Sequence, residues 1–210
     1  TADGGYIIAG RSSVNQARGS DFHLIQITAN GDTIWTRIYT NDFDDNTKAV
    51  LVTPEGGYLL AGTTNDVRGA GGILTYRIKT NSNGDTLWTK SFPEFDYLGN
   101  VKSVPDGGFV IVGTFEVGYT NTLNIFFCHL DWSGNVLWSK TIDIDRRDEA
   151  YNVISTQDGG YLILGHTVSQ RQATSDALVI KTNSSGDTLW ARRYGGIESE
   201  GFFNAIELSD

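Results

Sequence analysis

The stretch DGGYLILG at residues 158–165 sets the period of this chain, because versions of it occur four times. The other copies lie at residues 3–10, 55–62 and 106–113. Their second glycines are Gly5, Gly57, Gly108 and Gly160, which are 52, 51 and 52 residues apart. A fixed period of this length is typical of architectures built from one repeated supersecondary unit. The pattern predicts four equivalent repeats, at about residues 1–48, 49–99, 100–151 and 152–203.

Each repeat has the pattern of four short strands. Apolar, β-branched and aromatic runs alternate with turns that contain glycine, and no segment carries a helical period. The second strands, such as residues 161–164, are apolar throughout, so we expect them to be buried on both faces. Four-stranded sheets arranged around an axis form a β-propeller. The sequence therefore predicts an all-β propeller with four blades of four antiparallel strands, in a single domain over residues 1–210.

Residues 203–208 bear on how such a ring would close. They match a first strand, which the first repeat lacks. We expect this C-terminal strand to complete the N-terminal blade, because the pairing would remove two exposed sheet edges. The alternative is that the chain is a fragment of a larger propeller. The chain contains no Met, so we expect it to be a segment of a longer protein.

Tryptophan recurs at one position of the predicted fourth strands, at Trp35, Trp88, Trp138 and Trp190. A basic residue follows each of them by two positions: Arg37, Lys90, Lys140 and Arg192. Strand alternation places both side chains on one face, where the cation can stack on the indole. We predict that these four tryptophans pack between repeats and that the four glycines named above serve tight turns.

Composition limits the classes of partner. The formal net charge is −9, whereas nucleic acids and anionic membrane surfaces attract clustered Lys and Arg. No run is long and apolar enough to span a bilayer. The single cysteine, Cys128, lies in an apolar run and is interpreted as a small core residue. We expect no nucleic-acid partner, no membrane insertion and a monomeric domain within a larger protein.

The repeat resembles a known family. The unit DGGY, three apolar residues and Gly, followed by NGDTLW, is similar over the whole chain to repeats of secreted bacterial proteins that often precede a type IX secretion sorting domain. The turn at residues 130–138, LDWSGNVLW, is also similar to PQQ-like and WD40-like propeller repeats. The resemblance implies an extracellular or cell-surface propeller. Quinoprotein dehydrogenases typically use adjacent cysteines, which this chain lacks, so we expect no cofactor.

The predicted ligand site lies on the loops that differ between repeats. Connections between strands 1–2 and 3–4 are short and uniform, whereas those between strands 2–3 and 4–1 are long and variable. Binding residues concentrate on loops held by a rigid scaffold. The candidate ligand-binding residues are Asp45, Asp96, Tyr97, Tyr119, Arg147, Asp148 and Glu200.

Four of these candidates are carboxylates at equivalent repeat positions: Asp45, Asp96, Asp148 and Glu200. In a four-fold ring they could bind a cation or recognise sugar hydroxyls. Alternatively, each carboxylate caps its own loop or pairs with a nearby Lys or Arg. We assign no metal ligand.

Catalytic motifs are sparse. His166 is the one candidate acid or base, and neither a Gly-x-Ser-x-Gly elbow nor a phosphate-binding loop is present. We assign no catalytic residue and expect a non-enzymatic extracellular binding or scaffolding module for a glycan or a protein. The alternatives are a glycan-active hydrolase or lyase that uses loop carboxylates, and a structural spacer in a large surface protein.

Overall fold

The computed structural model describes residues 4–13, 19–41, 43–66, 72–92, 96–118, 120–169 and 174–208. Within these ranges the chain forms fifteen strands and no helix, so the predicted all-β class is confirmed. The strands are β1 (Tyr6–Ser12), β2 (Asp21–Ile27), β3 (Thr33–Tyr39), β4 (Asp44–Val52), β5 (Tyr58–Asp66), β6 (Gly72–Thr80), β7 (Thr86–Phe92), β8 (Tyr97–Ser103), β9 (Phe109–Glu116), β10 (Leu123–Leu130), β11 (Val136–Ile142), β12 (Arg147–Ser155), β13 (Tyr161–Val168), β14 (Ser175–Thr182) and β15 (Thr188–Tyr194). A membrane-crossing helix is accordingly not found in the described part of the chain.

The described strands form three sheets. Strands β1–β3 make one antiparallel sheet and β4–β7 make a second. The third sheet has eight strands, in two antiparallel groups, β8–β11 and β12–β15. A single parallel pair, between Leu123 of β10 and Arg147 of β12, joins the two groups. Within each sheet or group, strands that follow one another in the chain pair with one another, whereas β3 and β4, β7 and β8, and β11 and β12 do not.

The predicted four-bladed propeller is wrong. The three sheets have 3, 4 and 8 strands, and none of them closes on itself. Arg147, the first residue of β12, pairs with Leu123, the first residue of β10. This pairing joins two repeats into one sheet. The alternative of a larger propeller falls with the same finding, since it also required separate four-stranded blades. The period of the sequence gives the number of repeats, but it does not specify which strand edges pair with each other.

The predicted closing strand is also wrong. Residues 203–208 lie in no strand, and the first sheet keeps only three. Strand β1 was expected to be buried, yet Tyr6 is 57% and Ile8 47% exposed. The exposure follows from topology, because among the described strands β1 pairs with β2 alone.

The Gly-Gly turns show why their second residue is glycine. A Cβ at Gly57, Gly108 or Gly160 would lie 2.1, 2.0 or 2.2 Å from the carbonyl oxygen that ends the third strand of the same repeat. Gly5, the equivalent residue of the first repeat, is buried. The third strand therefore approaches the turn too closely for any side chain.

The chain divides into two compact units, Thr1–Glu94 and Phe95–Asp210, each with its own apolar core. In the first unit, Phe22, Leu24, Tyr58, Leu60 and Ile78 form the buried cluster, and Trp35 packs against it. In the second unit the buried cluster includes Val110, Phe127, Ile163 and Ile180, with Trp138 packed against it. Cys128 is fully buried, as predicted. That all 210 residues form one domain stays a prediction.

Candidate functional site

The carboxylates at the starts of the first strands tie down the loops that precede them. The side chains of Asp45, Asp148 and Glu200 each accept a hydrogen bond from the residue four positions earlier: Asn41 Nδ2 (2.7 Å), Ile144 N (2.6 Å) and Gly196 N (3.4 Å), respectively. Asp96 instead accepts from Glu116 N, which lies at the end of β9. This geometry corresponds to the loop-capping alternative that the sequence left open.

Asp148 is the most completely enclosed of these groups. Its side chain is fully buried, and it accepts from Ile144 N, from Asp145 N (3.0 Å) and from Thr167 Oγ1 (2.5 Å). Burial raises the pKa of the Asp148 carboxyl, while Thr167 and the two backbone donors oppose that shift. A raised pKa is the direction that a general acid requires, but both carboxylate oxygens are committed to the loop.

Asp45 lies at the equivalent position of the first unit, where its side chain accepts a hydrogen bond from the Asn41 side chain. Its residue is 1% exposed, and it lies opposite Thr64 as Asp148 lies opposite Thr167. Burial raises the pKa of Asp45, and Thr64 and Asn41 oppose the shift. The equivalent partner of Asp96 is Phe115, which has no hydroxyl, so Asp96 uses the Glu116 amide.

The predicted ring of four carboxylates required a four-bladed propeller. Because the propeller is wrong, the structure gives no reason to expect the ring. No group of three His, Cys, Asp or Glu side chains in the described ranges is arranged to hold a metal ion. Tyr97 is 59% exposed beside Asp96, at the start of β8. Tyr119 lies outside the described residues. A ligand-binding role for these seven residues stays a prediction.

A second cluster, which we call the Glu149 cluster, consists of Arg147, Glu149, Tyr151 and His166 on β12 and β13. Glu149 lies directly opposite His166, with 3.6 Å between Glu149 Oε1 and His166 Nε2. Arg147 Nη2 lies 3.6 Å from the same oxygen. His166 Nδ1 forms a hydrogen bond with the Tyr151 hydroxyl. A strand places alternate residues on one face, which brings Arg147 and Glu149 together.

Tyr151 joins this cluster because it is the extra residue of a β-bulge. The register of β12 against β13 shifts between Ala150 and Asn152, which leaves Tyr151 without a partner on the facing strand. A bulge redirects its side chain relative to the regular alternation. Burial and the nearby Glu149 charge raise the pKa of Tyr151 to about 12.

An aromatic stack extends the Glu149 cluster. The ring of Phe203 lies 4.9 Å from that of Tyr151, with 13° between their planes, and Phe203 remains 69% exposed. Phe202 donates its backbone N–H to the carbonyl of Gly165, which fixes this segment against β13. Tyr194 and Phe202 form a second aromatic pair, 5.7 Å apart. We call Tyr151, Phe203 and the Glu149 cluster together the aromatic platform.

Sequence reasoning identified Arg147 and His166 but missed Glu149, Tyr151 and Phe203. A signal was present for the two aromatic residues: each immediately precedes an asparagine at the same repeat position, Asn152 and Asn204. Tyr151 and Phe203 are one repeat period apart, so the sequence could have predicted that their rings are neighbours.

Two shallow clefts lie at the uniform end of the repeats, away from the variable loops. The cleft in the second unit has a volume of about 200 Å³ and is lined by Pro105, Asp106 and Tyr161 among others. The cleft in the first unit, of about 210 Å³, includes Lys79 and Glu55, whose charged atoms are 3.5 Å apart. Both are smaller than the roughly 300 Å³ at which small-molecule pockets begin.

Comparison with known proteins adds no relative: no protein-family model matches the chain, and no curated protein matches it.

Proposed function

We propose that this chain is a non-enzymatic binding module that recognises a glycan through the aromatic platform. The observation that carries the proposal is the stack of Tyr151 and Phe203, in which an exposed ring is held rigidly from one side. An aromatic ring supported in this way presents its other face to solvent, and such a face suits the apolar face of a sugar ring.

The polar groups around the stack support this choice of ligand. Arg147, Glu149 and His166 retain side-chain exposures of 37%, 26% and 15%, so part of each can reach a ligand. Together they supply donors and acceptors beside an apolar face, which is the combination that a sugar hydroxyl pattern needs.

The loop before β12, which leads into the platform residues, is held by several polar contacts. Asp148 holds the loop before β12 through its three hydrogen bonds, and Arg193 clamps the same loop through an ion pair with Asp145 at 2.8 Å. Arg193 also donates to the carbonyl of Ile144 at 3.3 Å. A preorganised site loses less conformational entropy on binding. In this proposal Asp148 positions the loop and does not contact the ligand.

The location that we propose is extracellular or at the cell surface, in a protein of the DGGY-repeat family. The support is the resemblance of the repeat described above, with its four copies over the whole chain. A glycan ligand is consistent with that location.

A glycan array followed by calorimetric titration tests the proposal. We expect Phe203→Ala to weaken the binding of an identified glycan about tenfold or more, because the stacking face is removed. Arg147→Ala should weaken binding through the polar contacts. Leu137→Ala is the matched control, since Leu137 is 56% exposed on β11 near the uniform turns.

Retention of full affinity by Phe203→Ala would contradict the proposal. Binding of a protein in place of any glycan would favour the alternative ligand class. Hydrolysis of the glycan, abolished by single Asp→Asn changes in the loops, would favour the hydrolase. If neither a glycan nor a protein binds, the remaining alternative is that the chain is a structural spacer.

A further inference from the structure

The imidazole of His166 faces a different partner at each of its two nitrogens. Nδ1 shares a hydrogen bond with the Tyr151 hydroxyl, and Nε2 lies 3.6 Å from Glu149 Oε1. Arg147 Nη2 lies 3.6 Å from the same carboxylate oxygen. Histidine side chains ordinarily change their charge between about pH 5 and 8, whereas carboxylates and guanidinium groups keep theirs. The proton on His166 therefore sets the net charge of the Glu149 cluster.

The hydrogen bonds define the neutral form of His166. The Tyr151 phenol keeps its hydrogen in this range, because burial and the nearby Glu149 charge raise its pKa to about 12. A carboxylate only accepts hydrogen bonds, so the neutral ring carries its hydrogen on Nε2, towards Glu149, and accepts the Tyr151 hydroxyl at Nδ1. The other tautomer would set the lone pair of Nε2 against the Glu149 carboxylate.

Protonation of His166 reverses its hydrogen bond with Tyr151. Both ring nitrogens then carry a hydrogen, so Nδ1 donates to the hydroxyl oxygen and the hydroxyl hydrogen turns to another acceptor. Glu149 is that acceptor, because a hydrogen bond between its side chain and Tyr151 is among the causes that raise the Tyr151 pKa. Glu149 then serves His166 and Tyr151 as well as Arg147, and the cluster holds two cations for one carboxylate.

The strands on either side of His166 direct their other carboxylates elsewhere. Strand β14 sets Ala177 directly opposite His166, and the Oδ1 atom of the adjacent Asp176 lies against the turn that follows β15. On β12, Asp148 accepts a hydrogen bond from Thr167, which alternation places on the opposite face of β13 from His166. Neither carboxylate therefore replaces Glu149 as the partner of the imidazole.

The segment that follows β15 covers the same ring without adding a charge to it. A Cβ on Gly201 would lie 3.7 Å from the Cβ of His166 and 3.7 Å from Cε2 of Tyr151. The neighbouring carboxylate, Glu200, accepts a hydrogen bond from Gly196 N at 3.4 Å. Among the residues that the structure describes around this ring, Glu149 is thus the anion that faces it.

Tyr151 connects this histidine to the stacking face of the aromatic platform. Its hydroxyl bonds to His166, and its ring stacks on Phe203 with 4.9 Å between the centroids. Arg147, whose side chain is 37% exposed, lies on the other side of Glu149 from the imidazole. A change in the charge of His166 is therefore made beside the groups that would contact a sugar.

We infer that the aromatic platform takes a carboxylate-bearing sugar and binds it more tightly when His166 is protonated. The inference rests on the proposed glycan binding and specifies its ligand and its regulation. In the protonated state, His166 and the Tyr151 hydroxyl both use the Glu149 carboxylate, which frees Arg147 to bind the carboxylate of the sugar. The net charge of −9 opposes an anionic ligand, but physiological salt screens that field beyond about 8 Å.

Calorimetric titration with trigalacturonic acid and with its methyl ester tests the ligand class at physiological ionic strength. The two trisaccharides share their rings, and the acid stays ionised at about pH 5.5 and about pH 7.5. We expect the acid to bind about fivefold more tightly at the lower pH, which is the effect of one partly exposed ion pair. The ester should change by less than about twofold.

A histidine variant tests the origin of the pH dependence. His166→Gln retains a polar side chain but gains no proton, so it should bind the acid equally at the two pH values. His23→Gln is the matched control, since His23 Nε2 bonds to Thr36 on β3. This control should keep the fivefold difference.

Nuclear magnetic resonance of the wild-type chain reads the hydrogen-bond reversal without any sugar. With nitrogen-15 histidine and carbon-13 tyrosine, the neutral His166 ring should carry its hydrogen on Nε2. The Cζ resonance of Tyr151, assigned with a Tyr151→Phe variant, should shift in step with the titration of His166. The same resonance in His166→Gln should stay constant over this pH range.

Equal affinity for the acid at the two pH values, or the same pH dependence in His166→Gln, overturns the inference. A Tyr151 resonance that does not follow His166 also overturns it. Binding of the ester and not of the acid, or of neither trisaccharide, overturns the assignment of a carboxylate-bearing sugar. Glycan binding itself fails only if the glycan array shows no ligand, so the two failures are distinguishable.

Discussion

The indole of Trp138 packs against the backbone of Gly186, where a Cβ would lie 2.6 Å from Cζ3 of the ring. Two residues after Trp138, Lys140 Nζ lies 2.6 Å from Asp187 Oδ1. The fourth strand of one repeat therefore holds the Gly-Asp turn of the next.

The first unit repeats this contact with Trp35 and Gly84, where the corresponding approach is 3.0 Å. Arg37 stacks over Trp35, 5.6 Å from the ring centroid, and its guanidinium lies 3.9 Å from Asp85. These contacts give Trp35 and Trp138 the packing role that the sequence predicted for all four tryptophans. Trp190 by contrast is 40% exposed.

We expect Gly186→Ala to reduce the free energy of unfolding by about 3 kcal/mol, because the methyl group would overlap Trp138 and the φ of +77° disfavours a side chain. The measurement is urea denaturation followed by circular dichroism. Gly159→Ala is the matched control: its φ is +80°, but no atom lies within 4 Å of the added Cβ. It should cost only about 1 kcal/mol, and equal losses in the two variants would contradict the Trp138 contact.

Replacements of Asp148 should separate its charge from its hydrogen bonds. Asp148→Ala leaves two backbone donors and the Thr167 hydroxyl unpaired, and should cost about 2 kcal/mol of unfolding free energy. Asp148→Asn can accept from the loop with its oxygen and donate to Thr167 with its nitrogen, so most of that stability should remain.

The wild type and the Asp148→Asn variant should also differ in how their stability depends on pH. Because burial raises the folded-state pKa of Asp148 above its unfolded value, the wild type loses stability as pH rises from about 4 through the folded pKa. The Asn variant lacks this titration, so its stability relative to wild type should grow over that interval. Denaturation midpoints measured at several pH values check this, and parallel curves for the two proteins would contradict it.

Asn152→Ala should loosen the C-terminal segment. Asn152 is 7% exposed and bonds to Asn100, Phe203 and Asn204, so its truncation should cost about 2 kcal/mol and increase hydrogen exchange at residues 203–207. Asn204→Ala, at the exposed end of this asparagine ladder, should change stability by less than about 0.5 kcal/mol. Unchanged exchange in Asn152→Ala would show that the ladder does not hold the segment.

The phenol of Tyr151 should titrate near pH 12, which carbon-13 NMR of labelled tyrosine can follow. Glu149→Gln removes a contributing negative charge and should lower this pKa, while burial, the larger cause, keeps it above its usual value. Since the folded state holds the proton more tightly than the unfolded state, this group lowers stability as pH rises above about 10. A Tyr151 pKa that is insensitive to Glu149 would contradict the cluster geometry.

Several features of the fold could be predicted from local sequence. The Gly-Gly turns and the glycine-containing turns between the third and fourth strands follow from short-range chemistry. The cation lies over the indole at Trp35, Trp88 and Trp190, as strand alternation indicated. The asparagines that organise the second set of turns were overlooked: Asn81 and Asn183 accept from backbone donors two and four residues later, as Asp131 does. That signal was present in the sequence.

The candidate site was less predictable. The four carboxylates were recognised by their spacing, but spacing did not reveal that Asp148 would be enclosed by its own loop and by Thr167. The aromatic platform depends on the bulge at Tyr151 and on the path of residues 201–203 beside β13. Both depend on contacts between residues far apart in the chain.

The sequence by itself determined the period, the all-β class, the position of the turns and the antiparallel order of neighbouring strands, because each of these depends on residues close together in the chain. Only the tertiary structure decided how the strand edges are used. The pairing of Leu123 with Arg147 merges two repeats into one sheet, and residues 203–208 form no strand in the described structure. Which strand edges pair depends on contacts between residues far apart in the chain. Every strand edge offers the same backbone N–H and C=O groups, so a repeat pattern alone does not specify which edges pair.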